Sequence, residues 1–467
     1  MDIEIDRATS GTLAEAVAAA IERAIDDRRL PPGARLPSIR RFAETQGLSK
    51  STVVEGYDRL VARGRVRSRA GSGFTVAVEP RRPAADPRPA LDRDIDPSWV
   101  MRQSLEVDPD VPKPGCGWLP SEWLEEAGIR RALRAVARDP AARLVDYGHP
   151  LGHPGLRRLL SLRLGERGIE VEPQAIVLTA GASAAVDLVV RHLIEPGDAV
   201  FVDDPCYYNF RAKLKLNRAR VIGIPFRPDG PDLEAFAREA AIHRPRLYVT
   251  NSGPHNPTGG RIGPATAHRL LNLAARFDFT IVEDDVFADF ETRPSPRLAA
   301  LDRLERVIHV GSFSKTLSSA LRLGWIAARP ETIEGLTELK LATSFTNDDL
   351  AAQVVHELLG DGSYRRHVEG LRRRIAAARA QVLRELEKLG LAPWSPSEDG
   401  LFLWVELPAG LDAADVARRA AAAGIVFAPG DVFSPSLSAG RFLRFNVAQS
   451  GSRRIWDFLA TALDRQG

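Results

Sequence analysis

The chain has 467 residues, 44% apolar and 27% charged, the make-up of a soluble globular protein with room for two or three domains rather than of a disordered chain. No apolar run approaches the roughly 18–20 residues that span a bilayer; the start MDIEIDRATS lacks the basic-then-apolar pattern of a secretory leader, and two cysteines, Cys116 and Cys206, supply no disulfide framework, so a cytoplasmic protein without membrane attachment is expected. The net charge of +3 singles out no partner, but between Arg35 and Arg69 nine basic residues face three acidic ones, a local excess of +6 that suits a phosphate backbone.

Leu13, Val17, Ala20, Ile21, Ala24 and Ile25 recur at helical spacing, predicting an amphipathic helix from about Thr12 to Arg29 that Pro31, Pro32 and Gly33 stop. Ser38 then caps a short helix with Ile39, Phe42 and Ala43 inward, Gly47 turns the chain, and a further helix opens near Ser49 or Ser51 with Val53, Tyr57, Leu60 and Val61 on one face. That leaves Lys50, Ser51, Thr52 and Val54 on the early exposed face, where a recognition helix meets DNA. RVRSRAGSGFTVAV reads as two short strands around Gly71-Ser72-Gly73, a hairpin wing flanked by Arg67 and Arg69.

The order L-P-S-x-R, S-x-S-T-V, Y-x-x-L and S-R-x-G-S-G-F over residues 11–77 resembles the GntR family of bacterial regulators, which bind DNA through a winged helix-turn-helix. The resemblance implies contacts to double-stranded operator DNA from Arg40, Lys50, Ser51, Thr52 and Gly71. Val54 stands where a second recognition-helix arginine is often found, a departure that bears on base preference.

Five prolines, Pro80, Pro83, Pro87, Pro89 and Pro97, set among Arg, Ala and Asp, read as a semi-extended linker. It divides a head of residues 1–79 from a body of residues 98–467, with 80–97 between them. In the body the runs AIVLTA, DAVFVDD, RLYVTN, FTIVEDD and RVIHVGS alternate with helical or loop segments, as in a mainly parallel sheet buried on both faces. From about residue 360 a long Arg/Ala-rich helix (Tyr364 to Leu389) and strands near Leu401–Glu406 and Phe442–Asn446 predict a smaller α+β subdomain.

Several strand ends carry chemistry. Lys315, in SFSKTLSSALRLGW, follows the apolar strand RVIHV; a lysine amine attacks an aldehyde only when deprotonated, which apolar or cationic surroundings favour. Ser312 and Ser314 bring hydroxyls, and Arg322 a planar fork for phosphate oxygens. In TIVEDDVFADF either Asp284 or Asp285 offers a buried carboxylate, and strand alternation lets only one face a ligand. Asn256 sits in the turn HNPTGG; Gly181, Ala182 and Ser183 open a helix after a strand, where free N–H groups attract phosphate; Tyr207 offers a ring for stacking. An imine-forming lysine, an anion, a polar amide, an aromatic face and a phosphate cradle are together what pyridoxal 5'-phosphate demands.

N-P-T-G, then E-D-D, then S-x-S-K with the following R-x-G, resembles the fold-type I aminotransferases over residues 115–465. The resemblance implies Lys315 as the cofactor's imine lysine, Asp284 at the ring nitrogen, Asn256 at the ring hydroxyl and Tyr207 stacked on the ring, with Ser183, Ser312 and Arg322 on the phosphate. Arg444 matches the arginine that pairs with an α-carboxylate, and Tyr147 matches a phosphate contact reaching across a homodimer. Val286 replaces a tyrosine common two residues after the aspartate. Both halves in this order resemble the MocR subgroup of GntR regulators. The implied protein is an α/β regulator, with a winged helix-turn-helix ahead of an aminotransferase-like domain, that senses a small amine, an amino acid or the cofactor itself. The alternative is a working aminotransferase with a DNA-binding appendage.

Overall fold

A computed structural model describes residues 3, 5, 11–69, 73–77, 96–108, 110–142, 144–396 and 399–464. The chain separates into two compact units, Met1–Leu91 and Asp92–Gly467.

The first unit holds α1 (Leu13–Asp26), α2 (Ile39–Gln46) and α3 (Lys50–Ala62), followed by the antiparallel strands β1 (Val66–Arg69) and β2 (Gly73–Val76). Each helix begins at a hydroxyl cap: Thr12, Ser38 and Ser49 accept from backbone N–H groups that would otherwise lack partners. Gly47 closes α2 in the left-handed conformation that the short turn into α3 requires. Val17, Ile21, Phe42, Val53, Tyr57 and Leu60 form the core, and the Tyr57 hydroxyl donates to the Pro37 carbonyl at 3.0 Å. α1 and α3 approach so closely at Gly56 that an added Cβ would lie 2.7 Å from Val17.

In the second unit, α4 (Pro97–Glu106) begins at Pro97, a residue that sequence alone assigns to the linker. Proline is tolerated in a first helical turn because its missing N–H has no partner there, and Asp96 caps this helix by accepting from the Trp99 N–H. The main sheet joins β3 (Ile176–Thr179), β4 (Ala199–Asp204), β5 (Arg220–Arg227), β6 (Gly230–Pro231), β7 (Leu247–Thr250), β8 (Thr280–Asp284), β9 (Val307–Ser312) and β10 (Gly324–Ala327) in the order β3-β10-β9-β8-β7-β4-β5-β6. β5, β4, β7, β8 and β9 are parallel neighbours, and β10 runs against both β9 and β3. Alternate residues feed two cores. Phe201, Tyr248, Ile281 and Val307 enter one, while Val200, Val202, Val249, Val282 and Ile308 enter the other.

Two helices of that unit start beside the sheet's carboxyl edge, α5 (Ala182–Leu193) after β3 and α6 (Tyr208–Leu216) after β4. The carboxyl-terminal part adds the long helix α7 (Ser363–Lys388) and an antiparallel sheet β11-β13-β12, made of β11 (Phe402–Glu406), β12 (Ala428–Pro429) and β13 (Phe442–Asn446), around a third core. Leu401, which sequence alone puts at the head of a strand, lies one residue before β11. No helix among the described residues is long and apolar enough to cross a membrane.

Candidate functional site

Parallel strands end on one edge of their sheet, so residues far apart in sequence meet there. β7 delivers Asn251, β8 delivers Asp284, β9 leads into Ser312, Ser314 and Lys315, β4 leads to Tyr207, and β3 leads through Gly181 into α5. These ends enclose a cavity of about 470 Å³ whose wall includes Lys315, Asp284, Asn256, Tyr207, Ala182, Ser183, Ser312, Ser314 and Arg322. Gly181 adjoins it: its φ is +85°, and an added Cβ would stand 2.9 Å from an Arg322 nitrogen. The backbone can therefore approach a bound group only if this residue stays glycine.

The Lys315 ammonium donates to the Gly117 carbonyl at 2.9 Å. Burial, and then the nearby Arg444 guanidinium, bring its pKa down to about 8, so about a tenth of it is neutral at pH 7. Asp284 stands against the same space. Burial pushes its carboxyl up to about 7 even though the Val286 N–H and the Asn251 amide favour the anion.

Asp285 points the other way and is bound by Arg297 and His309. Burial opposes its ionisation, but Arg297, His309 and Arg167 together outweigh it and hold the carboxyl at about 2. The choice left open by strand alternation thus falls to Asp284.

Asn256 turns its Oδ1 to Arg444, which donates at 2.8 Å, leaving the amide nitrogen for a ligand. Arg444 is fully buried between the rings of Phe402 and Phe433, and a second nitrogen donates to the Gly115 carbonyl. It stands behind the cavity wall, where a Cβ on Gly117 would be 3.7 Å from Arg444 and 4.0 Å from the Lys315 amine. Tyr147 is elsewhere: it is 75% exposed with its ring against Phe345, away from the cavity wall of its own chain. Val286 is buried and lines the cavity, adding an apolar contact where a hydroxyl was the family expectation.

Sequence reasoning missed Asn251, Gly117, Trp118 and the α4 residues Met101, Ser104 and Leu105, all on the cavity wall. Asn251 was within reach of it, since it follows directly on the strand that neighbours Asp284. Its Nδ2 donates to the Asp284 carbonyl, while its buried Oδ1 has no partner among the described residues.

The arrangement fits pyridoxal 5'-phosphate on four counts: a lysine of low pKa, a buried carboxyl short of a cation, an unsatisfied buried amide oxygen, and a Gly181 cradle beside Arg322. Lys315 would hold the aldehyde carbon, Asp284 the ring nitrogen and Tyr207 the ring face. Ser183, Ser312, Ser314 and Arg322, with the N–H groups that open α5, would hold the phosphate.

In the first unit, Lys50 and Ser51 are exposed at the start of α3 and Val54 is 38% exposed, in keeping with their place in the helical pattern. The Ser51 and Thr52 hydroxyls both bond the Ser49 hydroxyl, at 2.8 and 2.7 Å. Arg40 is paired with Glu44 at 3.1 Å rather than being free. The basic footprint is also smaller than the count of charges suggests, because Arg59 binds Glu15 and Glu55, Arg63 binds Glu22, and Arg65 binds Asp26. Three of those acids precede the counted segment, so these arginines tie α3 and the residues after it to α1. Arg35, Arg41, Lys50 and Arg67 remain exposed. Gly71 and the linker residues from Pro80 to Pro89 lie outside the described residues.

Comparison with known proteins covers both units. Residues 126–458 match the family described as aminotransferase class I and II, and residues 13–76 match bacterial regulatory proteins of the gntR family. The chain is 29% identical to YdcR of Escherichia coli (strain K12), named as an uncharacterized HTH-type transcriptional regulator, over 91% of this chain and 92% of that one. It is 30% identical to the probable rhizopine catabolism regulatory protein MocR of Rhizobium meliloti, over 85% of this chain and 82% of that one. Among solved structures, kynurenine aminotransferase of Pyrococcus horikoshii in complex with PMP superposes with a TM-score of 0.73 at 26% identity, covering 81% of this chain and 96% of its own. The α-aminoadipate aminotransferase LysN of Thermus thermophilus gives 0.72 at 27% identity, covering 78% and 94%.

Proposed function

We propose that this chain, which belongs to the class I and II aminotransferase family and carries a gntR-family regulatory domain ahead of it, is a MocR-type transcription regulator. Its body binds pyridoxal 5'-phosphate on Lys315 and senses a small amine or amino acid. The observation that carries the reading is the pairing, in one chain, of a capped helix-turn-helix with a cavity whose wall brings Lys315, Asp284, Asn256 and Arg322 together. Bound cofactor supplies an electrophilic carbon and an electron-withdrawing ring. Lys315 fixes that carbon, Asp284 holds a proton at the ring nitrogen, and Asn256, oriented by Arg444, donates to the ring oxygen. A small amine that competed with Lys315 for that carbon would leave the Lys315 amine free in the cavity, and operator affinity would follow the difference between the two states.

The head contacts double-stranded DNA through Lys50, Ser51 and Thr52 at the start of α3, with Arg40 and Gly71 alongside. We read the protein as a cytoplasmic homodimer, which presents two heads to paired half-sites. The exposed Tyr147–Phe345 pair, with Leu144 and Val145 beside it in the chain, supplies apolar surface for such an interface, and there Tyr147 could reach the partner's phosphate.

The test is to titrate amino acids into the full-length protein while following visible absorbance and binding to DNA fragments selected from random duplexes. One amine should move both signals, and Lys315→Ala should abolish both responses. Regulation unchanged in that variant refutes the reading. A cavity that brings Lys315, Asp284, Asn256 and Arg322 together also favours a second reading, a working aminotransferase. Steady keto-acid formation without specific DNA binding would decide for it. DNA binding that responds to cofactor alone, with no amine present, makes the cofactor itself the signal.

A further inference from the structure

Lys213 lies on the wall of the Lys315 cavity. It sits on α6, four residues after Asn209, so the two side chains share a helix face. Asn209 also lines the cavity, and its amide nitrogen reaches the Ser183 hydroxyl at 3.4 Å, joining the first turn of α6 to the first turn of α5. Helical side chains lean toward the amino end of their helix, which carries the Lys213 ammonium back over the Asn209 turn, toward those two helix starts.

Exposed lysines are commonplace, but Lys213 is half-buried and its ammonium has neither a hydrogen bond nor an ion pair among the described residues. Asp187, an acidic residue close enough to act on it, is bound to Arg191 at 2.8 Å. Burial lowers the Lys213 pKa, and Arg191 and Arg322 lower it further. A cation held on a cavity wall beside other cations lacks an anion. Arg322 brings one positive charge to a cofactor phosphate, which carries close to two negative ones near neutrality.

We propose that Lys213 is the second cation of the phosphate site, acting with Arg322, Ser183 and the opening turn of α5 on the cofactor's phosphate. This rests on the reading that the cavity takes pyridoxal 5'-phosphate. The anion that Lys213 meets could instead belong to an acidic effector, and the arms of the experiment separate the two.

Full-length wild type, Lys213→Met and Lys213→Arg are titrated with pyridoxal 5'-phosphate and with pyridoxal, using visible absorbance and equilibrium dialysis. Methionine keeps the apolar stem, so packing survives while the charge is removed. Lys213→Met should weaken the phosphorylated aldehyde by about tenfold and leave pyridoxal within about twofold, and Lys213→Arg should restore most of the loss. Equal affinity of wild type and Lys213→Met for the phosphorylated form overturns the assignment. An equal loss for both aldehydes also overturns it, since that is the mark of a structural role. Intact cofactor binding with a lost response to an amino dicarboxylate, but not to alanine, gives the anion to the effector and overturns it as well. Failure of wild type to bind either aldehyde refutes the parent reading instead, a distinct result.

Discussion

Replacing Asp284 by Asn should stabilise the cofactor-free protein while weakening its hold on the cofactor. In the folded chain the Asp284 carboxyl titrates at about 7 rather than 3.8, because burial penalises its charge. A carboxyl raised in this way contributes its full stability below pH 3.8, loses it as pH climbs toward 7, and stays at the lower level above that. At about 1.4 kcal/mol per pKa unit, the charged form costs the folded protein about 4 kcal/mol at pH 8. Asn removes that cost and keeps the shape. Urea unfolding of stripped protein, followed by tryptophan fluorescence, is a clean assay because all seven tryptophans, from Trp99 to Trp456, lie in the second unit. Asp284→Asn should gain roughly 2 kcal/mol or less at pH 5 and several at pH 8. Cofactor affinity should fall in the same variant, since the ring nitrogen loses its counter-charge. A stability difference that does not vary between pH 5 and 8 refutes the argument, because it would mean that Asp284 is solvated.

Lys315 gives a second pH signature. With a pKa of about 8, its neutral fraction rises about fivefold between pH 7 and 8 and levels off above 9, and the initial rate of covalent cofactor attachment should follow that curve in stopped-flow absorbance. A rate still rising tenfold per unit at pH 9 would mean an ordinary, solvated lysine. Gly56→Val should drive a side chain into Val17 and the Ala14 carbonyl, costing the head about 1–3 kcal/mol and its DNA binding, with the cofactor spectrum unchanged. Arg444→Met strips the donors from the Asn256 Oδ1 and the Gly115 carbonyl, two acceptors that burial keeps from water. It should lower the melting temperature by several degrees, corresponding to about 1–3 kcal/mol, and weaken the amine response in the same titration.

Much of the site was legible in the sequence because its chemistry is concentrated at strand ends, where apolar runs stop at polar residues. Lys315 and the Asp284/Asp285 pair were readable that way, whereas Asn256 reads from the HNPTGG turn and Arg322 from its spacing after Lys315. Choosing between the two aspartates needed Arg297 and His309, which arrive from a loop and a neighbouring strand. The antiparallel strand β10 escaped notice because LRLGWIAA has no turn signal to set it apart from what precedes it. α4 escaped because a proline cluster hid its start. The family resemblance implies a carboxylate contact for Arg444; the fold adds that it also holds Asn256 and the Gly115 carbonyl. Its partners lie 188 and 329 residues away in sequence, so local pattern could not reveal them. In the head the caps and core followed directly from spacing, whereas the cross-helix pairs of Arg59, Arg63 and Arg65 depended on how α1 lies beside α3.

The hydrogen bond from Lys315 to the Gly117 carbonyl joins residues 198 apart in sequence. Measured along bonds, it is a short cut. Followed through its own backbone, the lysine is separated from the first unit by most of the main sheet. Through Gly117 it is only the stretch from Asp92 to Gly117 away, a stretch that includes α4 and, at Gly115, the carbonyl that Arg444 holds. A cofactor held on Lys315 as proposed would take from the Gly117 carbonyl its full ammonium donor. Release of the lysine would restore it. The opening segment of the second unit therefore touches the Lys315 amine at Gly117 before the chain enters a strand of the main sheet.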